Sequence, residues 1–189
     1  ALECTQLLER TPIVLPNGFD SLATSQNQPV ARQRLLDVAS RLYGKTFAAE
    51  RTTLVATSGR YEYRNKGIDL IVASLESLLK QQAKLSSDLI LYFFIPAWVA
   101  EPRADLAYLL SDTDPESSKA PLQYPYLTHW LHNLREDTLA HRLGELLRSG
   151  ATAQHIYPIF VPTYLDGHDG ILDLPYYDLL SAFDLTLFP

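Results

Sequence analysis

The chain has 189 residues, a net charge of −6, one cysteine and no methionine. At 47% hydrophobic and 20% charged it is neither disordered nor fibrous, and its length suits one domain at about 150 residues per domain. The acidic balance excludes a general nucleic-acid binder, because neutralising phosphates needs a surplus of Lys and Arg.

Residues 1–9 read as the end of a helix striped by Leu2, Leu7 and Leu8 and stopped by Pro12. Ile13-Val14-Leu15 is a short strand, and Pro16-Asn17-Gly18 is a turn. Residues 21–29 are a polar loop, and Pro29 suits the first turn of a helix. That helix covers 30–43, with Val30, Leu35, Leu36, Val38, Ala39 and Leu42 at helical spacing and Gly44 as its stop. Residues 52–58 are a buried strand by composition, 59–67 a charged loop and 68–84 a helix with one apolar face. Residues 88–97 are almost continuously apolar, the pattern of a strand covered on both faces. Residues 98–127 form an excursion outside the sheet, with a short helix over 103–110 and a polar stretch over 111–119. A helix over 137–149 stops at Gly150. A strand follows over 155–162, then a turn over 166–170, a short helix over 175–183 and a last strand over 185–188.

Alternating strands and helices predict right-handed crossovers and a parallel sheet, an α/β doubly wound domain. Ligands bind such sheets beyond the carboxyl ends of the strands, where the strand order reverses. With 52–58 as the first strand and 185–188 as the fourth, the reversal lies between them. The loop after the first strand, Gly59-Arg60-Tyr61-Glu62-Tyr63-Arg64-Asn65-Lys66-Gly67, therefore carries the most interest. It has neither the dinucleotide fingerprint nor a Walker loop. It does set cations at the head of a helix, where N–H groups and the dipole favour a pyrophosphate. The competing interpretation is a solvated basic loop paired through Glu62, which composition alone favours.

Other constellations carry less. His129 and His132 have helical metal spacing but no third ligand, so they read as polar histidines of a surface helix or loop. Asp166-Gly167-His168-Asp169-Gly170 lacks the ligand spacing of a calcium loop and reads as a turn. Ser58 is not in a nucleophile elbow. Cys4 stands alone, which excludes a disulfide framework and a thiolate zinc site and fits a reducing compartment. No apolar run approaches the roughly 20 residues that span a bilayer.

The nine-residue loop, followed by Ile68-Asp69-Leu70, closely resembles the donor-site loop of the animal and fungal glycogen synthases. These are retaining glycosyltransferases with two Rossmann-like domains, the GT-B architecture. Further segments resemble the family in the same order. They are Val14-Leu15-Pro16-Asn17-Gly18-Phe19-Asp20, Phe94-Ile95-Pro96-Ala97, and Thr128-His129 or alternatively His132-Asn133. Phe160-Val161-Pro162-Thr163-Tyr164, Leu174-Pro175-Tyr176-Tyr177 and Leu185-Thr186-Leu187-Phe188-Pro189 complete the set.

The resemblance implies a partial GT-B C-terminal domain over 1–189. It divides into a junction segment and helix (1–50), two strands with the donor loop (51–97), a helical excursion (98–150) and the last two strands (151–189). Arg60 and Lys66 match the family's cations on the donor diphosphate, where they stabilise the leaving charge. Arg64 is solvated or supporting, and Tyr61 and Tyr63 pack. Tyr164 and Tyr176 match aromatic positions near the nucleotide base, with ordinary packing as an equal alternative.

The implied reaction transfers glucose from UDP-glucose or ADP-glucose, UDP-glucose favoured, to the non-reducing end of an α-1,4-glucan, with retention. It calls for no metal and no cofactor, a cytoplasmic location, no nucleic acid and no membrane; an oligomer is open. The absent initiator and the abrupt Pro189 read as the ends of an excerpt. The family's catalytic carboxylate is expected beyond Pro189, and this chain alone is expected to be inactive. The alternatives are a GT-B transferase with another acceptor and a non-catalytic α/β binding module.

Overall fold

The computed structural model describes residues 27–82, 85–112 and 120–187. The helix, strand and Pro-Asn-Gly turn expected before residue 20 lie outside the described residues, as does most of the polar stretch over 111–119.

Helix α1 spans Gln28–Tyr43, with Pro29 in its first turn. It buries Leu35, Leu36, Val38, Ala39 and Leu42 of the stripe expected from the spacing and adds Ala31 and Tyr43, while Val30, expected in that stripe, is 61% exposed in the first turn. Gly44 ends it at φ 60°, and a Cβ there would stand 2.4 Å from the Ala120 carbonyl carbon. Only glycine meets both demands.

Strand β1 (Thr52–Ser58) matches the expected bounds. Helix α2 (Ile68–Lys80) follows, shorter than expected because the chain turns at Gln82 with φ 49°. Strand β2 (Asp88–Phe94) also ends early. Pro96 has no N–H, so regular pairing stops before it.

Next come strand β3 (Val99–Pro102), helix α3 (Ala104–Ser111) and strand β4 (His129–Leu131). Helix α4 (Thr138–Arg148) precedes strand β5 (Ile156–Val161). Helix α5 (Tyr176–Leu180) and strand β6 (Leu185–Leu187) close the described chain.

The main sheet has the order β5-β2-β1-β6, and all its pairs are parallel. Side chains alternate between its faces with the period of two that strands impose. Leu54, Ala56, Ile90, Tyr92, Phe94, Tyr157, Ile159 and Val161 join one core with α1, α3 and α5. Val55, Leu91, Phe93, Ile156 and Phe160 join a second core with α2 and α4. Burial of such a side chain contributes roughly 1.5–3 kcal/mol. The three layers are the doubly wound architecture expected.

Proline in β5 is tolerated because β5 is an edge strand. The Phe160 N–H points outward to the Tyr126 carbonyl at 2.7 Å. Pro158 has the same parity, so its missing N–H takes nothing from the pairing with β2.

The excursion departs from expectation. β3 and β4 form a two-stranded antiparallel ribbon where a helical segment is expected. Arg103 anchors it. Its side chain is 0% exposed, and its guanidinium donates to the carbonyls of Tyr124 (2.8 Å) and Leu127 (3.0 Å). It also pairs with Asp105 at 2.6 Å and lies 4.7 Å from the Trp130 ring centroid. The hydrogen bonds from Arg103 hold the Asp105 carboxyl below its ordinary range.

At the opposite end of the sheet, Lys45 donates to Asp88 and to the Tyr157 hydroxyl, each at 2.7 Å, and His155 meets Asp88 at 2.8 Å. Burial works to raise the pKa of Asp88, but the hydrogen bonds from Lys45 and His155 outweigh it and lower the value. A lowered folded-state pKa stabilises above the unfolded value, about 3.9, and that contribution disappears as pH falls through the folded value. Asp88→Asn is therefore expected to be less stable than wild type at neutral pH. The gap should narrow below about pH 4. Urea unfolding of both proteins across pH 2.5–7 checks this; a gap constant to the acid limit contradicts it.

Candidate functional site

The loop after β1 is a chain of turns. Glu62 N–H donates to the Arg60 carbonyl (2.7 Å), Lys66 N–H to that of Glu62 (2.9 Å) and Gly67 N–H to that of Arg64 (3.1 Å). Gly67 sits at φ 60° and begins α2, a left-handed geometry that glycine adopts without strain. Arg60 is thus held at the carboxyl end of β1, and Lys66 at the head of α2.

Beside this loop, at the carboxyl ends of β1, β2 and β5, opens a cleft of about 600 Å³. Its size fits a small-molecule site. Ser58, Gly59 and Arg60 line it from β1, Phe94 and Pro96 from β2, and Tyr164 and Tyr176 from the loop and helix after β5. β6 pairs with β1 on the side away from β2, so the strand order reverses where the sequence places it.

The structure brings Arg60 together with Tyr164 and Tyr176, both more than 100 positions away in the sequence. The Arg60 side chain is 79% exposed and meets Glu62 at 3.2 Å. Local pairing and a position on the cleft therefore hold at once. Lys66 does not line the cleft itself. Its stem runs beside it, since a Cβ on Gly59 would lie 4.0 Å from Lys66 Cδ. Among the described residues Lys66 makes no ion pair, and Arg64 is exposed.

Tyr164 is 77% exposed, so it presents its ring rather than packing it. Tyr176 is half-buried. Its hydroxyl meets Ser58 Oγ at 2.5 Å, and its ring lies against Phe94 at 6.4 Å between centroids. The Tyr176 N–H donates to the Leu165 carbonyl at 3.0 Å, which closes the loop from β5 onto α5.

The loop over 166–173 is a turn built on Asp169. Its carboxylate accepts from the N–H groups of Ile171, Leu172 and Asp173 at 2.8–3.1 Å. His129 corrects a sequence expectation: it is no surface histidine. It is buried on β4 and contacts the Asp169 carbonyl through Nε2 at 2.9 Å and Thr128 Oγ1 through Nδ1 at 2.8 Å. Burial lowers its pKa, and these partners suit a neutral ring protonated on Nε2. It ties the ribbon to the loop that borders the cleft. Among the described residues no group of three or more His, Cys, Asp or Glu side chains is placed to hold a metal ion.

The sequence passes over Ser58 and assigns Tyr61 to packing alone. Ser58 gains importance only through Tyr176, 118 positions away. Tyr61 reaches the head of α4 across 76 positions. No local signal announces either contact.

A parallel sheet with helices on both faces and a cleft at its reversal point defines a Rossmann-like ligand-binding domain. The particular family comes from the chain's relatives. Residues 1–104 match the family model described as glycogen synthase. The liver glycogen [starch] synthase of Mus musculus is 33% identical over 108 residues, covering 51% of this chain and 15% of the mouse protein. The glycogen [starch] synthase of Neurospora crassa is 39% identical over 87 residues, covering 41% of this chain and 12% of its own length. That of Dictyostelium discoideum is 34% identical over 107 residues, covering 50% of this chain and 12% of its own. This chain belongs to the glycogen synthase family. Arg60 and Lys66 fall within the stretch matched by the family model; Tyr164 and Tyr176 lie beyond it.

Proposed function

We propose that this chain forms the nucleotide-sugar side of a retaining GT-B glucosyltransferase that extends an α-1,4-glucan from UDP-glucose. The observation that carries it is one cleft holding Arg60, Tyr164 and Tyr176 at the strand reversal, in a member of the glycogen synthase family. Segments 51–97 and 151–189 supply that cleft. A second domain holds the glucan acceptor, and the protein acts in the cytoplasm. Among the described residues no helix is long and apolar enough to cross a membrane.

In the transfer, the bond from the anomeric carbon to the diphosphate oxygen breaks, and negative charge collects on that oxygen. The 4-hydroxyl of the glucan end bonds to the anomeric carbon on the same face, and its proton leaves with the diphosphate. Arg60 offers a planar fork to the phosphates and Lys66 a mobile point charge. Both are placed before the charge develops, which is the arrangement that lowers such a barrier. Tyr164 is free to stack on the base, and Tyr176 is held edge-on by Phe94 and Ser58.

UDP is expected to shift the backbone amide resonances of residues 59–67 and 163–166 in a ¹⁵N spectrum of this chain. Uridine should shift only the second group, because it lacks the diphosphate. Shifts from UDP confined to other parts of the molecule contradict the assignment.

A further inference from the structure

Among the described residues, the main chain of the Arg60 loop after Gly59, whose N–H donates to the Phe94 carbonyl at 3.3 Å, bonds only within itself and the start of α2. What fixes the loop to the rest of the domain is two side chains. Tyr61 and Tyr63 pack into the core shared by α2 and α4, while Arg60 and Arg64 stay exposed.

Tyr61 makes the more specific contact. Its hydroxyl donates to Asp137 Oδ1 at 2.8 Å and accepts from the Leu139 N–H at 2.9 Å. Its ring stands edge-on to Phe160 of β5, with centroids 6.1 Å apart. Asp137 is itself buried and caps α4 by accepting from the Ala140 N–H at 2.8 Å. A helix head leaves its first N–H groups without intrahelical partners. Here Asp137 satisfies that of Ala140, and the Tyr61 oxygen, from a distant loop, satisfies that of Leu139 just before it. The carboxylate makes the hydrogen bond charge-assisted, hence directional and strong. Burial pushes the Tyr61 hydroxyl up, so it stays protonated and able to donate.

We infer that Tyr61 is a positioning residue for the diphosphate, which it fixes by clamping the Arg60 loop to the head of α4. The clamp stands on the contacts above; its effect on a diphosphate rests on the function proposed for the cleft. A neighbour locked in place leaves Arg60 less main-chain freedom to lose on binding, and that saving appears as affinity. Only the phosphate end of the ligand gains from it. The base lies with Tyr164 and Tyr176, on the loop and helix after β5, to which Tyr61 makes no hydrogen bond.

Tyr61→Phe tests the clamp, since it keeps the ring on Phe160 and removes both hydrogen bonds. Two measurements on this chain are needed. Amide hydrogen exchange across residues 59–67 should accelerate by about tenfold or more, the loss of a charge-assisted bond that holds the loop shut. UDP affinity by calorimetry should fall by about tenfold while uridine affinity stays at the wild-type value. In an Arg60→Ala background, Tyr61→Phe should cost UDP little more, because the group it positions is gone.

Unchanged exchange overturns the clamp. Faster exchange with an unchanged UDP affinity, or with equal losses for UDP and uridine, overturns the positioning role. Full additivity with Arg60→Ala overturns it as well. If wild type binds no UDP, the function proposed for the cleft fails, and exchange in Tyr61→Phe alone decides the clamp.

Discussion

Under the proposed function, replacing Arg60 with alanine in the full-length protein is expected to lower the rate of glucose incorporation from UDP-glucose by roughly 10²–10³, the usual loss for one preorganised charge contact. The fold should not feel the change. The Arg60 side chain is 79% exposed, and its pairing with Glu62 at 3.2 Å is a surface ion pair. Such pairs contribute about 0–1 kcal/mol, so the melting temperature should hold. In the proposed function, the same weakness lets Arg60 exchange Glu62 for a diphosphate with two negative groups. Lys66→Ala should cost a similar factor, because its stem runs beside the same cleft wall at Gly59. Arg60→Lys restores the charge but not the planar fork, and should recover only part of the rate. Steady-state incorporation of labelled glucose, read beside thermal melts, decides the matter. Wild-type rates in both alanine variants would remove the diphosphate from this loop.

The second large effect is on stability. Arg103→Ala withdraws the donors that serve the carbonyls of Tyr124 and Leu127, and it strips the Trp130 ring of its cation. The buried Leu127 carbonyl is left without a partner, at about 1–3 kcal/mol, while the Tyr124 carbonyl keeps the Leu127 N–H at 3.1 Å; with the lost contact to the Trp130 ring a total of about 3 kcal/mol is expected. Asp105 adds less, because its side chain is 45% exposed and water can serve it. For a domain of this size, that loss lowers the melting temperature by roughly 6–12 °C. Arg103→Lys should rescue less than half, since one ammonium cannot reach two carbonyls and a carboxylate in a single plane. Differential scanning calorimetry of the three proteins checks the order. A melting point within about 2 °C of wild type for Arg103→Ala would show that the ribbon does not depend on this clasp.

Much of the scaffold is legible in the sequence. β1 falls on its expected bounds because Thr52–Ser58 is rich in β-branched residues and two-faced in burial, so composition alone marks it. α1 follows its apolar stripe into the core, and Gly44 stops it where expected. The reversal between β1 and β6 follows from alternation and crossover handedness, which restrict topology to a few choices. The loop carrying Arg60 and Lys66 stands out by its charge and its place after the first strand.

The ribbon of β3 and β4 is not legible there. Its strands have four and three residues, too short for any period to show. Their pairing also joins segments about 30 positions apart, with an irregularity between Val99 and Glu101. His129 misleads for the same reason: a histidine's burial depends on what folds over it, here the Asp169 turn.

Propensity, period and backbone freedom act within a few positions. They suffice for the alternation of strands and helices, the boundaries at Gly44 and Gly67, and the cationic loop that carries the family likeness. Folding alone makes Tyr164 and Tyr176 share a cleft with Arg60, buries Arg103 with its partners, and brings Tyr61 to the head of α4. Each of those depends on a partner more than 20 positions away. A hydrogen bond or ring contact of that kind has no energy until the chain between its ends is folded.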